Sequence, residues 1–307
     1  MFKFNFEVET EVEPEEAVKS PFTENSEHKT EQEDSGIVKD IVWYEAEQIK
    51  PTKAALSRLD LYELNAKDLK VGNTEIRHLI AGFLLEDIKI HGDLESRDIK
   101  KSEESHSDLI AGVYEGGAKI WECTDDLLLY LSENYDDSYW KGKRVLDLGC
   151  GSGLLGIYAL QSGAKVDFQD YNKDVLEQIT IPNVMLNVQL DLSDDNKLEF
   201  LEENTSFYSG DWSNFALLTL DTEKYDMILT SETIYNIENQ QKLLDTFNSR
   251  LRGDGIVLVS GKSHYFGVGG GLEQFVDVIN KGKAFESKNV WTADKNLKRG
   301  ILKIKFK

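Results

Sequence analysis

Cysteine is scarce in this chain. Cys123 and Cys150 are the only two among 307 residues. Two thiols make neither a disulfide framework nor a zinc set, and such usage fits a reducing compartment. No apolar run approaches the roughly 20 residues needed to cross a bilayer, and the N-terminus lacks the pattern of a signal peptide. The five histidines (His28, His78, His91, His106, His264) are scattered, without metal-ligand spacing. Basic residues are in deficit: 35 Lys and Arg face 56 Asp and Glu, a formal net charge of −21. That balance argues against direct nucleic-acid binding. These absences describe a soluble protein, expected in the cytoplasm. A nuclear location is a further expectation, although no basic import cluster is evident.

What is present is a 40% hydrophobic content, enough for a sizeable core. Residues 1–36 read as an acidic disordered tail, since low hydrophobicity with high charge does not offset the entropy of ordering. The first 40 residues hold twelve acids and four bases. The tail is either a docking arm for a basic partner or a solubilising segment. Residues 37–108 read as an extension that packs on the main domain. Within it 37–49 is apolar, 56–64 and 76–90 have helix-like or mixed apolar spacing, and 100–108 is polar and reads as a linker. From residue 109 to 307 the pattern alternates. Strands are expected at 145–148, 166–169, 205–208, 227–230, 256–260, 286–291 and 300–306, and helices at 154–161, 174–187, 239–251 and 272–281. Such alternation implies an α/β fold, a mainly parallel sheet of seven strands with helices on both faces. In the last strand apolar residues alternate with lysine, which reads as an edge strand with one face in water.

The most informative stretch is Arg144 to Gly156, R-V-L-D-L-G-C-G-S-G-L-L-G. A β-rich run enters three alternating glycines, Gly149, Gly151 and Gly153, and an apolar helix follows. This arrangement lets backbone approach a nucleotide closely. G-S-G-L-L-G also fits the dinucleotide fingerprint, but Asp147 at the mouth of the turn would repel a pyrophosphate. An acid there suits the ammonium end of S-adenosylmethionine, which carries no phosphate. The acidic D-x-G-x-G-x-G form resembles motif I of class I methyltransferases. A dinucleotide oxidoreductase is the disfavoured alternative.

Further residues fall at strand ends, where a parallel α/β sheet binds its ligand. Asp170 follows Gly153 by seventeen residues, near the spacing at which an acceptor-only carboxylate takes both ribose hydroxyls; a turn or cap role is the alternative. Asp211 would accept the adenine amino group and Trp212 would lie along the purine face. Glu232 and Tyr235 project where a methyl acceptor would sit. N-P-P-Y, the signature of enzymes that methylate adenine or glutamine amides, is absent there. Upstream, residues 112–124 form an aromatic, glycine-containing segment that would serve as a lid, with Trp121 either in that role or in the core. Residues 262–271 read as a substrate-side wall.

Taken in order, G-V-Y-E-G-G-x-K-I-W-E-C-T, V-L-D-L-G-C-G-S-G-L-L-G-I, F-Q-D-Y-N, I-P-N-V, S-G-D-W, S-E-T-I-Y and H-Y-F-G-V-G-G-G resemble the eukaryotic protein-histidine methyltransferases that modify a histidine of a large-subunit ribosomal protein. The resemblance runs from about residue 108 to the C-terminus. It implies a seven-stranded, Rossmann-like class I methyltransferase with S-adenosyl-L-methionine as cofactor. It also implies a protein substrate and methylation at the distal imidazole nitrogen; a monomer is a separate expectation that the sequence itself does not address. By the same resemblance the cofactor contacts are Ile120, Trp121, Glu122, Cys123, Thr124, Gly149, Gln169, Asp170, Tyr171, Gly210, Asp211, Trp212 and Ser231, beside Asp147 and Gly151 of the loop. Glutamate is common in the family where this chain has Asp211. Glu232, from its position, is the candidate carboxylate that fixes the imidazole tautomer, with Tyr235 shaping the wall. His106 is a candidate for methylation in cis. A lysine or small-molecule methyltransferase on the same fold, and a non-catalytic scaffold in ribosome assembly, are the competing readings.

Overall fold

The computed structural model describes residues 43–80, 82–83, 86–87, 97–105, 107, 109–110, 112–188, 193–293 and 298–307. The 1–36 tail and His106 lie outside the described residues.

Ten strands are described: β1 (Glu47–Ile49), β2 (Ala66–Val71), β3 (Thr74–Leu79), β4 (Arg144–Leu148), β5 (Lys165–Asp170), β6 (Thr205–Ser209), β7 (Tyr225–Ser231), β8 (Leu251–Lys262), β9 (Phe285–Ala293) and β10 (Arg299–Phe306). β2 and β3 form a separate hairpin, and the other eight form one sheet in the order β1-β6-β5-β4-β7-β8-β10-β9. β6, β5, β4, β7 and β8 run parallel, while β10 is antiparallel to both β8 and β9. The seven expected strands are all present, and β1 adds an eighth, antiparallel to β6.

Alternation along the central strands assigns side chains to two cores. Val145, Met227 and Leu229 pack on one face, and Leu146, Leu148 and Ile228 on the other. Both faces are therefore buried, as a parallel sheet requires. The helix Glu122–Asn134 was not expected from the pattern. Its stripe of Cys123, Leu127 and Leu131 is fully buried at four-residue intervals.

Three local expectations are corrected. Residues 76–90 do not begin as a helix: Thr74–Leu79 is a strand, with Asn183 Oδ1 accepting the Leu79 N–H. The polar segment 100–108 does not read through as a linker: the helix Arg97–Ser105 runs into it. Its anchor is Ile99, 1% exposed and packed with Tyr114, Val175 and Ile179. The last strand is not an edge. β10 lies between β8 and β9, although Lys305 does face water, paired with Glu286. No helix among the described residues is long and apolar enough to cross a membrane.

The chain runs β4, β5, β6 to one side of the sheet, then crosses to β7 and β8 on the other. The order reverses beside β4, and a crevice opens there beyond the strand ends.

Candidate functional site

A cleft of about 890 Å³, counted out to its open mouth, occupies that crevice. Its floor is the glycine loop. Gly151 has φ +50°, and a Cβ there would stand 2.9 Å from the Gly117 carbonyl. The loop therefore packs backbone against backbone, which requires glycine.

Asp147 also lies on the floor, 1% exposed, with Oδ2 accepting the Gly156 N–H at 2.8 Å. Burial pushes its carboxyl up to about 8. Asp170 Oδ2 accepts the Gly151 N–H at 2.9 Å, Oδ1 accepts from Asn172 N–H at 3.1 Å, and burial raises this carboxyl to about 6. Two buried acids with only neutral donors favour a cationic ligand, because a positive charge would compensate their desolvation.

Of the residues anticipated as cofactor contacts, the cleft is lined by Trp121, Thr124, Asp147, Gly149, Gly151, Asp170 and Tyr171, and by Gly210, Asp211, Trp212 and Ser231. Thr124 Oγ1 donates to Ser231 Oγ at 3.2 Å, joining two of them across the crevice. Ile120, Glu122, Cys123 and Gln169 are not on the lining. Ile120 packs on the core. Cys123 belongs to the buried helix stripe, where burial first and the Glu232 charge second push its thiol up. Glu122 is largely exposed, 3.3 Å from Lys262 Nζ. Gln169 braces the strand ends: Nε2 donates to Gly210 O at 2.8 Å, and Oε1 accepts from Trp212 Nε1 at 3.1 Å. Asp211 has both oxygens engaged, by Lys242 Nζ at 2.5 Å and by Ser213 N–H at 2.9 Å.

Both residues expected on the acceptor side line the cleft. Glu232 has φ +60°, and no other non-glycine among the described residues has a positive φ. Its N–H is tied to Ser260 O at 2.9 Å. Oε2 accepts the Tyr265 hydroxyl, while Oε1 is buried with no hydrogen-bond partner and lies 4.0 Å from Lys262 Nζ. The Tyr235 hydroxyl donates to Glu115 Oε2, whose other oxygen accepts Gly112 N–H. The 112–117 segment thus forms one wall, and Trp121 Nε1 adds a bond to Gly116 O at 3.2 Å. His264 is exposed, edge-on to Phe266.

Trp43, Thr233, Asn236 and Asn239 also line the cleft and were not anticipated, while Glu115 lines it from the 112–124 segment expected as a lid. Glu115, Thr233 and Asn236 lie inside or beside motifs already singled out, so their signal was position. Trp43 had none beyond being aromatic.

The profile of the family described as lysine methyltransferase matches residues 106–277, more than half of the chain. The chain belongs to that methyltransferase family. Curated relatives include the histidine protein methyltransferase 1 homolog of Bos taurus, 47% identical over 226 residues, 68% of this chain and 60% of that protein. The Dictyostelium discoideum homolog is 43% identical over 173 residues, 56% of this chain and 52% of its own length. Histidine protein methyltransferase 1 of Schizosaccharomyces pombe is 29% identical over 269 residues, 76% and 77%. The chain spans about 60% of the length of the mammalian relatives it matches. S-adenosylmethionine is the cofactor of this methyltransferase family, and the cleft fits it. The glycine loop leaves no side chain in the way, and the buried acids call for a cation.

Proposed function

We propose that this protein methylates a histidine in a protein substrate. The observation that carries the reading is Glu232: a carboxylate residue of the cleft wall held in a left-handed backbone conformation, tied by Tyr265 and Lys262. Such backbone strain costs stability, and it persists where a ligand or reaction uses it.

S-adenosylmethionine supplies an electrophilic methyl group when bound, and Asp147, Gly149, Gly151, Asp170 and Tyr171 are the residues that would hold it. Imidazole has an unperturbed pKa near 6.5 and is already a neutral nucleophile at pH 7, so no strong base is needed. The site has to select the tautomer, align the ring and exclude water. The Glu232 carboxylate would accept a hydrogen bond from the proximal ring N–H, leaving the lone pair on the distal nitrogen. That nitrogen would be the nucleophile for the methyl group that S-adenosylmethionine supplies. Glu232 then stabilises the cation as it develops, and the proximal proton leaves to solvent. Tyr265 and Lys262 hold Glu232 in place. Fixing both partners is worth up to roughly 7–11 kcal/mol relative to free encounter.

The motif resemblance and the names of the relatives support histidine as acceptor, and the resemblance implies a large-subunit ribosomal protein as its carrier. Incubation with labelled cofactor and ribosomal proteins, followed by peptide mapping, tests this. The label should sit on the distal nitrogen of one histidine. Label on lysine would favour the second reading, which the family's description supports, since a carboxylate also suits an ammonium acceptor.

A further inference from the structure

One wall of the cleft comes from outside the stretch matched by the family profile. Trp43 lines the cleft, upstream of residue 106 where the match begins. The chain that follows it is locked to the sheet. β1 pairs with β6 through Glu47↔Ser209 and Ile49↔Phe207. The Tyr44 carbonyl accepts Asp211 N–H and Asn214 Nδ2, each at 3.0 Å. The Tyr44 ring stacks on Tyr171 with centroids 4.8 Å apart and planes 4° from parallel. Gly210 has φ +98°, and a Cβ there would come within 2.3 Å of Glu45 O. Residues 43–49 are thus a strap seated on the ends of β5 and β6.

The neighbours of Trp43 define the chemistry of that wall. Tyr171 meets its ring edge-on, centroids 5.9 Å apart. Lys242 Nζ stands 3.7 Å from the indole centroid and pairs with Asp211, so the acid is neutralised rather than free. Trp212 lines the same cleft. Two indoles beside an internally paired acid make an aromatic wall without net charge. Such a surface suits the face of a purine. The charged amino-acid end of the cofactor is matched instead by Asp147.

We propose that Trp43, delivered by the 43–49 strap, forms a face of the purine subsite, so that cofactor affinity depends on chain outside the family-matched stretch. The inference rests on the cofactor reading and deepens it. Its ligand class is a purine nucleoside bearing sulfur at the 5′ position.

The test is calorimetric titration of the full chain with S-adenosylhomocysteine and with 5′-methylthioadenosine, which lacks the amino-acid end. Wild type, Trp43→Phe and Trp43→Leu are compared, with melting temperatures as a check on folding. Loss of base–aromatic stacking should weaken both ligands by the same factor in Trp43→Leu, about ten-fold or more. Trp43→Phe should keep most of the affinity. A second readout needs no substitution: hydrogen exchange of residues 43–49 in the wild type should slow when 5′-methylthioadenosine is added. Binding by Trp43→Leu within two-fold of wild type, or an unchanged exchange rate in the strap, overturns the proposal. A wild type that binds neither ligand overturns the cofactor reading itself, which is a separate result.

Discussion

The Tyr265 hydroxyl donates to Glu232 Oε2 at 2.5 Å, and the carboxylate's other oxygen is buried 4.0 Å from Lys262 Nζ. Tyr265 is suited to the role because burial, and then the Glu232 charge, raise its phenol well above the ordinary value. It remains a donor throughout the physiological range. The two residues come from loops after β7 and β8, neighbouring parallel strands that deliver their ends to one place.

Glu232→Gln keeps the shape of the side chain and removes its charge. Turnover should fall by about 10²- to 10³-fold, the scale of losing one well-placed electrostatic stabiliser. Affinity for S-adenosylhomocysteine should stay within two-fold. Steady-state kinetics on a substrate peptide with parallel calorimetry measures both, and undiminished turnover would refute the assigned role.

Tyr235 and Glu115 hold the 112–117 wall against the loop after β7. Tyr235→Phe leaves a carboxylate oxygen without its donor, and Glu115→Gln weakens the same bond. Each single variant should destabilise the protein by about 1–3 kcal/mol, and the double variant should cost less than the sum. A denaturant double-mutant cycle reads the coupling. Strict additivity would show that the two residues do not act through each other.

Proton linkage gives a signed expectation. Asp147 and Asp170 sit at about 8 and about 6 in the folded protein, against an ordinary value of 3.8. Between those limits the native state holds more protons than the unfolded one. Without cofactor, these two groups therefore make stability decline as pH rises from about 4 to about 8. A cationic ligand favours the ionised acids, so cofactor affinity should rise over pH 6 to 8 with release of protons. Calorimetry in two buffers of different ionisation enthalpy counts those protons. Proton uptake on binding would contradict the assignment of these acids to a cation.

Gly210→Ala places a methyl group where Glu45 O lies 2.3 Å away, at a backbone angle that disfavours any side chain. Loss of about 1–3 kcal/mol of stability is expected, together with faster hydrogen exchange across residues 43–49. Strap protection equal to wild type would mean that Gly210 is not the seat of the strap.

Much of the architecture was legible because it is written in short-range pattern. Each of the seven core strands contains a local run of β-formers, and the glycine loop is a local conformational requirement. The helices Leu154–Gln161 and Leu272–Lys281 fall where apolar spacing placed them. Other elements lacked such a signal. Arg97–Ser105 has little apolar content, and its seat on Val175 and Ile179 supplies what its own sequence does not. β1 is three residues long, too short for periodicity, and exists because β6 offers an edge. β10 reads as an edge because its lysines are solvated on one face, yet strand order is a long-range property that alternation does not encode.

The amino-acid sequence alone determined that a strand, a glycine loop and a helix recur with acids at the strand ends, since those features depend on neighbours a few residues apart. Tertiary structure decided what each of these side chains is tied to. Gln169 became a brace, Asp211 was claimed by Lys242, and Glu232 was tied by Tyr265 and Lys262. The physical reason is that a buried polar atom's partner is chosen by packing, and packing brings together residues as far apart as Trp43 and Lys242.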